Sequence, residues 1–288
     1  MGRLILNADD FGLTTGVNRA VAELHRVGRL TSASLMARAA ATDEAIEMAR
    51  AMPSLGVGCH VVLVDGEPVL SPTRDIPHLA DLISGCFRSS LAAFLQRLLS
   101  GRIPSAEIEA ETAAQIALLQ SRGVRLTHID THKHVHIFPA VLRPVLRAAR
   151  AAGIRTVRNP FEPKWGRRAT RGATLMRRAE VSLSHLLEPT FRRIVAEEGF
   201  TTTDGALGVL ATGSLAATTI ASLLRNLQDG TWELVTHPGY NDADLARAHT
   251  RLLASRETER EALSAIERFP VIKLISFAEL HPASSRQA

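Results

Sequence analysis

The chain has 288 residues, of which 45% are hydrophobic and 22% charged, with a formal net charge of +5. That size and apolar fraction support one sizeable core, and no apolar run approaches the ~18 residues of a membrane-spanning helix. The opening "MGRLILNADD" meets charge before an adequate apolar stretch forms, so it does not read as a secretory signal, and a soluble cytoplasmic protein is expected. Two cysteines, Cys59 and Cys86, lack metal-type spacing and are too few for a disulfide framework, so both are expected to be reduced.

The first predicted strand, Leu4 to Asn7, begins with apolar side chains on both faces, the pattern of a parallel sheet covered by helices. It runs into Asp9 and Asp10. One of them capping the helix that begins near Val17, with the other solvated, is the ordinary explanation of such a pair. Further short aliphatic or β-branched runs follow at Thr31 to Met36, Val57 to Leu63, Leu126 to Asp130, Thr156 to Asn159, Ala206 to Leu210, Glu233 to Thr236 and Val271 to Ile275. Between them, Val17 to Val27, Glu44 to Ala51, Glu107 to Gln120, Ala140 to Ala152, Leu215 to Leu227 and Arg256 to Arg268 carry helical periodicity. Seven or eight βα units in this length predict an irregular, TIM-barrel-like (β/α) barrel of parallel strands in a single domain, 1–288. Two long inserts interrupt it, near 64–87 and 160–172, and loops of this length are often lids or binding elements. No GxGxxG or P-loop follows the first strand, which argues against nucleotide binding.

The segment "THIDTHKHVHIFP", residues 127 to 139, gathers four of the eleven histidines with an aspartate. On extended backbone, His128, Asp130, His132, His134 and His136 share one face, which a core would not choose. Several imidazoles with a carboxylate point to metal or catalytic chemistry, although spacing alone does not choose the ligands. His60, Arg158 and His237 fall at the ends of other predicted strands. In a barrel these ends meet at one mouth. One Asp of the opening pair, a His of the third strand and a His after the fourth would supply three ligands and leave a position open, with the second Asp as base. No GxSxG elbow is present, and Cys59 faces away from His60 on a strand, so a covalent nucleophile is disfavoured.

Arginines concentrate between Arg143 and Arg193. Aromatics there are sparse and not interleaved as stacking on nucleic acid requires, so no nucleic-acid partner is expected. Phe161, Pro163 and Trp165 beside Lys164, Arg167, Arg168 and Arg171, followed by Leu175, Met176, Val181, Leu183, Leu186 and Leu187, suit peripheral contact of residues 160 to 195 with an anionic membrane, against the simpler explanation of an amphipathic helix packed on the barrel.

"NADDFG", the "GxH" of the third strand, "THxDxHxHVHxxP" and a later "HPG" together resemble the YdjC-like family of carbohydrate deacetylases, from residue 3 to about 280. The resemblance implies an irregular (β/α) barrel and removal of an acetyl group from an N-acetylated amino sugar with one divalent metal ion, zinc or magnesium. Carried onto this chain it makes Asp10, His60 and His132 the metal ligands and Asp9 the base. "RNPF" at Arg158 to Phe161 resembles the Arg-x-Pro-aromatic element of polysaccharide deacetylases, whose arginine orients the catalytic carboxylate. His237 is then a general acid or substrate contact, and Asp130 and His134 orient groups or bind substrate. "GVNRAVAELHRVGRLTSASLM" and "VGCHVVLVDGEPVLSP" resemble the hopanoid-biosynthesis-associated branch of the family, implying an N-acetylglucosaminyl hopanoid, a glycolipid, as substrate. The alternatives are a metal-dependent phosphoesterase or nuclease on a similar barrel, which would gather more bridging carboxylates, and a non-catalytic sugar- or lipid-binding barrel, which would not need the Asp9–Asp10 pair.

Overall fold

The computed structural model of the protein describes residues 2–266 and 272–280. Its elements are, in order, β1 (Gly2–Phe11), α1 (Thr15–Arg26), β2 (Ser32–Leu35), α2 (Thr42–Ala51), β3 (Gly56–Val61), α3 (Leu91–Leu99), α4 (Ser105–Ser121), β4 (Leu126–Thr131), α5 (Pro139–Ala151), α6 (Lys164–Ala169), α7 (Leu175–Ser184), α8 (Glu188–Glu197), β5 (Gly205–Leu207), α9 (Ala217–Arg225), β6 (Gly230–Thr236), α10 (Ala243–Arg247), α11 (Ala254–Ser264) and β7 (Lys273–Leu274). Residues 267, 268 and 271 of the last predicted helix and strand lie outside the described residues. The strands are parallel in the order β4-β3-β2-β1-β6-β5. On one edge of β1, Arg3 and Leu4 pair with β7, and Asn7, Ala8 and Phe11 pair with β2.

The predicted strand Thr156 to Asn159 is corrected. It makes single bridges only, Val157 to Ile129 and Thr156 to Thr201, because its backbone partners are split between two neighbours. The Arg158 N–H bonds to the Ile129 carbonyl at 3.1 Å, the Val157 N–H to the Thr201 carbonyl at 3.0 Å, and the Phe161 carbonyl accepts from Ala206 of β5 at 3.2 Å. This extended segment links β4 to β5 along the wall of an irregular (β/α) barrel.

Strand alternation sorts the side chains. Leu4, Leu6, Ala8, Ala33, Leu35, Val57, Cys59, Val61 and Ile129 face the helices and form the main apolar core with them. Facing inward, Ile5 packs with Ile275, Phe277 and Leu280 as a plug. Ala206, Val209 and Val235 form a second small apolar cluster, and much of the remaining interior is polar: Asn7, Asp9, Ser34, His60, His128, Asp130, Arg158 and Glu233 are all buried. Thr14, not an aspartate of the opening pair, caps α1, its hydroxyl accepting from the Val17 N–H at 3.2 Å.

The 64–87 insert forms no helix or strand but is pinned by two acids one turn apart on α4. Glu111 accepts from the Val69 and Leu70 N–H groups at 2.8 and 3.0 Å, and Glu107 from those of His78 and Leu79, both at 2.9 Å. In the 160–195 region, Phe161 and Val181 are buried, and the half-buried Trp165 packs edge-on against Trp232 at 5.1 Å, so these three pack on the barrel. Many arginines of the basic stretch are locally paired: Arg143 with Glu197, Arg147 with Glu109, Arg150 with Glu198, Arg192 with Glu188. No described helix is long and apolar enough to cross a membrane.

His128 stacks on Phe277 at 3.8 Å and lies so close over Gly58 that a methyl group there would overlap its ring. Gly58→Ala is expected to lower stability by about 1–3 kcal/mol through overpacking, read as a lower urea midpoint with an unchanged m-value.

Candidate metal centre and active-site cavity

In a regular strand Asp9 and Asp10 would point to opposite faces. Ala8 pairs with Ala33 and Phe11 with Leu35, so β1 holds one residue more than β2 across this step, and Asp10 takes a left-handed φ of 61°. This bulge turns both carboxylates into the barrel mouth. Extended backbone likewise stops at Thr131. Residues His132–Ile137 form a 3₁₀ turn with left-handed φ at Lys133 (57°) and His134 (52°).

The turn corrects the expectation that five polar side chains share one face. His132 reaches Asp10, and His134 lines the mouth, its Nδ1 buried without a partner and its imidazole held neutral by burial and by Arg158 and His136. His136 turns into the wall, bonding Thr131 Oγ1 at 2.7 Å and the Arg158 carbonyl at 3.2 Å, while His128 meets Ser34 at 3.3 Å. Both are structural.

Asp10 Oδ1 lies 3.2 Å from His132 Nδ1 and 3.4 Å from His60 Nε2, and the two ring nitrogens are 3.3 Å apart. Three lone-pair atoms at this separation match ligands around an ion bound at about 2.0–2.1 Å. Asp10 Oδ1 has no hydrogen bond of its own. The other ring nitrogen of His60 bonds Asp130 Oδ2 at 3.0 Å, which directs Nε2 to the centre. Burial opposes charge on Asp10, but Arg256, His132 and His60 outweigh it and hold the carboxyl well below the usual carboxylate range. Burial also opposes protonation of His60, yet Asp130, Asp10 and Asp9 raise it to about 10, so the site's own charge calls for a cation there. The residues fit a single divalent ion.

Asp9 is clamped by Arg158, Oδ1 to Nη2 at 2.5 Å and Oδ2 to Nη1 at 2.8 Å, and Asn7 donates to its Oδ1 at 2.9 Å. Arg158 is fully buried, also contacts Asp130, and is backed by Glu233 at 2.7 Å. Burial pushes Glu233 up to about 7 even with Arg158 beside it. His237 Nε2 lies 3.8 Å from Asp9 Oδ2. Its backbone N–H donates to Glu259 Oε2 at 2.6 Å, its Nδ1 lies 3.8 Å from the same oxygen, and although burial opposes the imidazolium, Glu259 raises its pKa. Asp9, Asp10, His60, His132, His134 and His237 line one cavity of about 420 Å³, with Asp130 and Arg158 behind them.

Three further residues of this arrangement were not legible as site residues. Arg256 and Glu259, one turn apart on α11 and fully buried, reach Asp10 Oδ2 at 2.5 Å and His237. In sequence they look like ordinary helix-surface charges. Glu233 carried a signal, an acid inside the apolar run "WELV".

Over residues 3–267 the sequence matches the family of YdjC-like proteins. The chain belongs to that family. A carbohydrate deacetylase of Brevibacillus brevis is 33% identical over 284 residues, covering 96% of this chain and 99% of the relative. A human carbohydrate deacetylase is 30% identical over 83% of this chain and 75% of its own length. A chitooligosaccharide deacetylase of Salmonella typhimurium is 37% identical over 52% of this chain and 57% of its own. Among solved structures, a candidate cellobiose-phosphate cleavage protein of Enterococcus faecalis superposes with a TM-score of 0.73 at 26% identity, covering 96% of this chain and 97% of that one.

Calorimetric titration with zinc and with magnesium tests the centre: His60→Ala and His132→Ala should each lose most metal affinity while far-UV circular dichroism stays native. Full occupancy in either variant would remove that residue from the ligand set.

Proposed function

We propose that this YdjC-like protein is a metal-dependent N-deacetylase of an N-acetylated amino sugar. The observation that carries the reading is one cavity lined by the Asp10–His60–His132 triangle, an arginine-clamped carboxylate and the His237 imidazole, 3.8 Å from the Glu259 carboxylate. The names of the relatives support the substrate class. An amide resists hydrolysis because water is a weak nucleophile and the amine a poor leaving group. A divalent ion held by Asp10, His60 and His132 would polarise the acetamido carbonyl and acidify water. Zinc and magnesium are both compatible with these ligands. Asp9, oriented by Arg158 and Asn7, takes the proton of the attacking water. His237, charged through Glu259, gives a proton to the departing nitrogen, and acetate and a free amine result. Asp130 orients His60, and His134 contacts substrate.

A phosphoesterase of the two-metal kind needs a second cation site. Asp9, His60 and Asp130 also lie close together, but the Arg158 guanidinium already bridges the two carboxylates and supplies that charge.

The amino sugar is carried on a lipid in the finer form of this proposal, with an N-acetylglucosaminyl hopanoid as the specific case. In its favour, Leu175, Met176, Leu183 and Leu186 are 86, 74, 68 and 73% exposed on and just after α7, a helix whose Arg177 and Glu180 line the cavity. Arg168 and Arg171 are exposed nearby and Arg167 is half-buried; cations near an anionic surface contribute about 1 kcal/mol each.

Asp9→Asn should keep its metal and lose about 10²–10⁴-fold in kcat, whereas Asp10→Asn should weaken metal binding itself; acetate release and metal content measured together separate the two. Equal metal loss in both would mean the roles are wrongly divided. For the lipid-borne substrate, co-sedimentation with anionic vesicles at low salt should occur and should weaken when Arg167, Arg168 and Arg171 become Gln. Absence of binding would leave a soluble glycan as the substrate.

A further inference from the structure

Among the described residues, the non-glycine residues with positive φ are Asp10, Asp65, Lys133 and His134, and all four line the same cavity. Such backbone persists only where the surroundings impose it, and it gathers at functional sites. The bulge accounts for Asp10, and the turn that delivers His132 accounts for Lys133 and His134. Asp65 and Lys133 have no part in the reaction above. Their side chains meet across the mouth, Lys133 Nζ to Asp65 Oδ2 at 2.7 Å, with 20% and 11% exposure. His249, from the loop after α10, bonds the other oxygen of Asp65. Asp65 begins the 64–87 insert just beyond β3, which carries His60, and Lys133 directly follows His132. The pair therefore sits at a fixed offset from two candidate ligands.

A half-buried ion pair is a weak stabilising device once its desolvation is counted, so stability does not explain a left-handed Asp65 held against Lys133. Its chemistry suits a polyol. The carboxylate keeps lone pairs for hydroxyl donors, the ammonium keeps N–H groups for hydroxyl acceptors, and adjacent sugar hydroxyls present both. A phosphate or carboxylate ligand at this pair is disfavoured, because the Asp65 carboxylate lies against the Lys133 ammonium. We propose that Asp65 and Lys133 form the subsite that binds hydroxyls of the amino sugar and sets its acetamido group over the metal centre, with His249 fixing the Asp65 carboxylate. The assignment rests on the deacetylase reading for its ligand class.

Three variants test it: Asp65→Asn, Lys133→Met, and the charge swap Asp65→Lys with Lys133→Asp, which places an ion pair on the same two left-handed positions. KM and kcat for N,N′-diacetylchitobiose are measured beside metal content, and calorimetry gives the Kd of the same disaccharide on an Asp9→Asn background, which requires no turnover. A subsite predicts that each single variant raises KM and Kd by about tenfold or more, with kcat and metal content nearly constant, and that the swap restores thermal stability without restoring affinity. Unchanged Kd, recovery of affinity in the swap, or a fall in metal content with KM unchanged would each overturn it and make the pair a brace for the His132 turn. Loss of the deacetylase reading is a separate result: no acetate release by the metal-loaded parent protein, whatever its affinity for the disaccharide.

Discussion

A single guanidinium holds the barrel interior together. Arg158 is fully buried and meets Asp9, Asp130 and Glu233, three carboxylates contributed by β1, β4 and β6. Three unpaired acids in that volume would repel one another and suffer the full cost of desolvation. With the arginine between them, burial still opposes its charge, yet the surrounding acids push its pKa well above the ordinary value. The hydrolytic reading depends on this arrangement, because the clamp leaves Asp9 with a fixed orientation and makes Asp130 a firm partner for His60.

Around that centre, the functional side chains are delivered by departures from regular backbone. A residue gained in β1 sends two adjacent aspartates to one side, and a left-handed turn after β4 sends His132 to the mouth and His136 into the wall. The loop after β6 places His237 opposite Asp9. Strand ends of a barrel converge regardless of their distance in sequence. The bulge and turn then select which side chains meet.

Support for these groups comes from the far end of the chain as much as from the motifs. On α11, Arg256 neutralises the outer oxygen of Asp10 while Glu259 backs His237, so one helix serves both the proposed metal ligand and the proposed acid. Partners behind a ligand set its orientation and charge. The inserts have different parts: 64–87 is anchored to α4 and reaches the mouth through Asp65, whereas much of 160–172 packs against the barrel, with Phe161 buried and Trp165 half-buried against Trp232.

The barrel class and most of its strands were legible because hydrophobic alternation and helical periodicity are local properties, and seven of the eight predicted strands overlap observed ones. The candidate set Asp9, Asp10, His60, His132, Arg158 and His237 also came from the sequence, since polar residues at the ends of apolar runs stand out, and the fold brings these side chains to one region. Parity failed after Thr131, because it assumes extended backbone and the chain turns at Lys133 and His134. Thr156 to Asn159 was misread as a strand because strand identity depends on which neighbours supply hydrogen bonds, a property of the whole wall. Arg256 and Glu259 could be recognised only in three dimensions, and the role of Glu233, an acid that stands out inside an apolar run, only there as well. A buried charge is identified by its partner, and for each of them that partner is tens to hundreds of positions away along the chain.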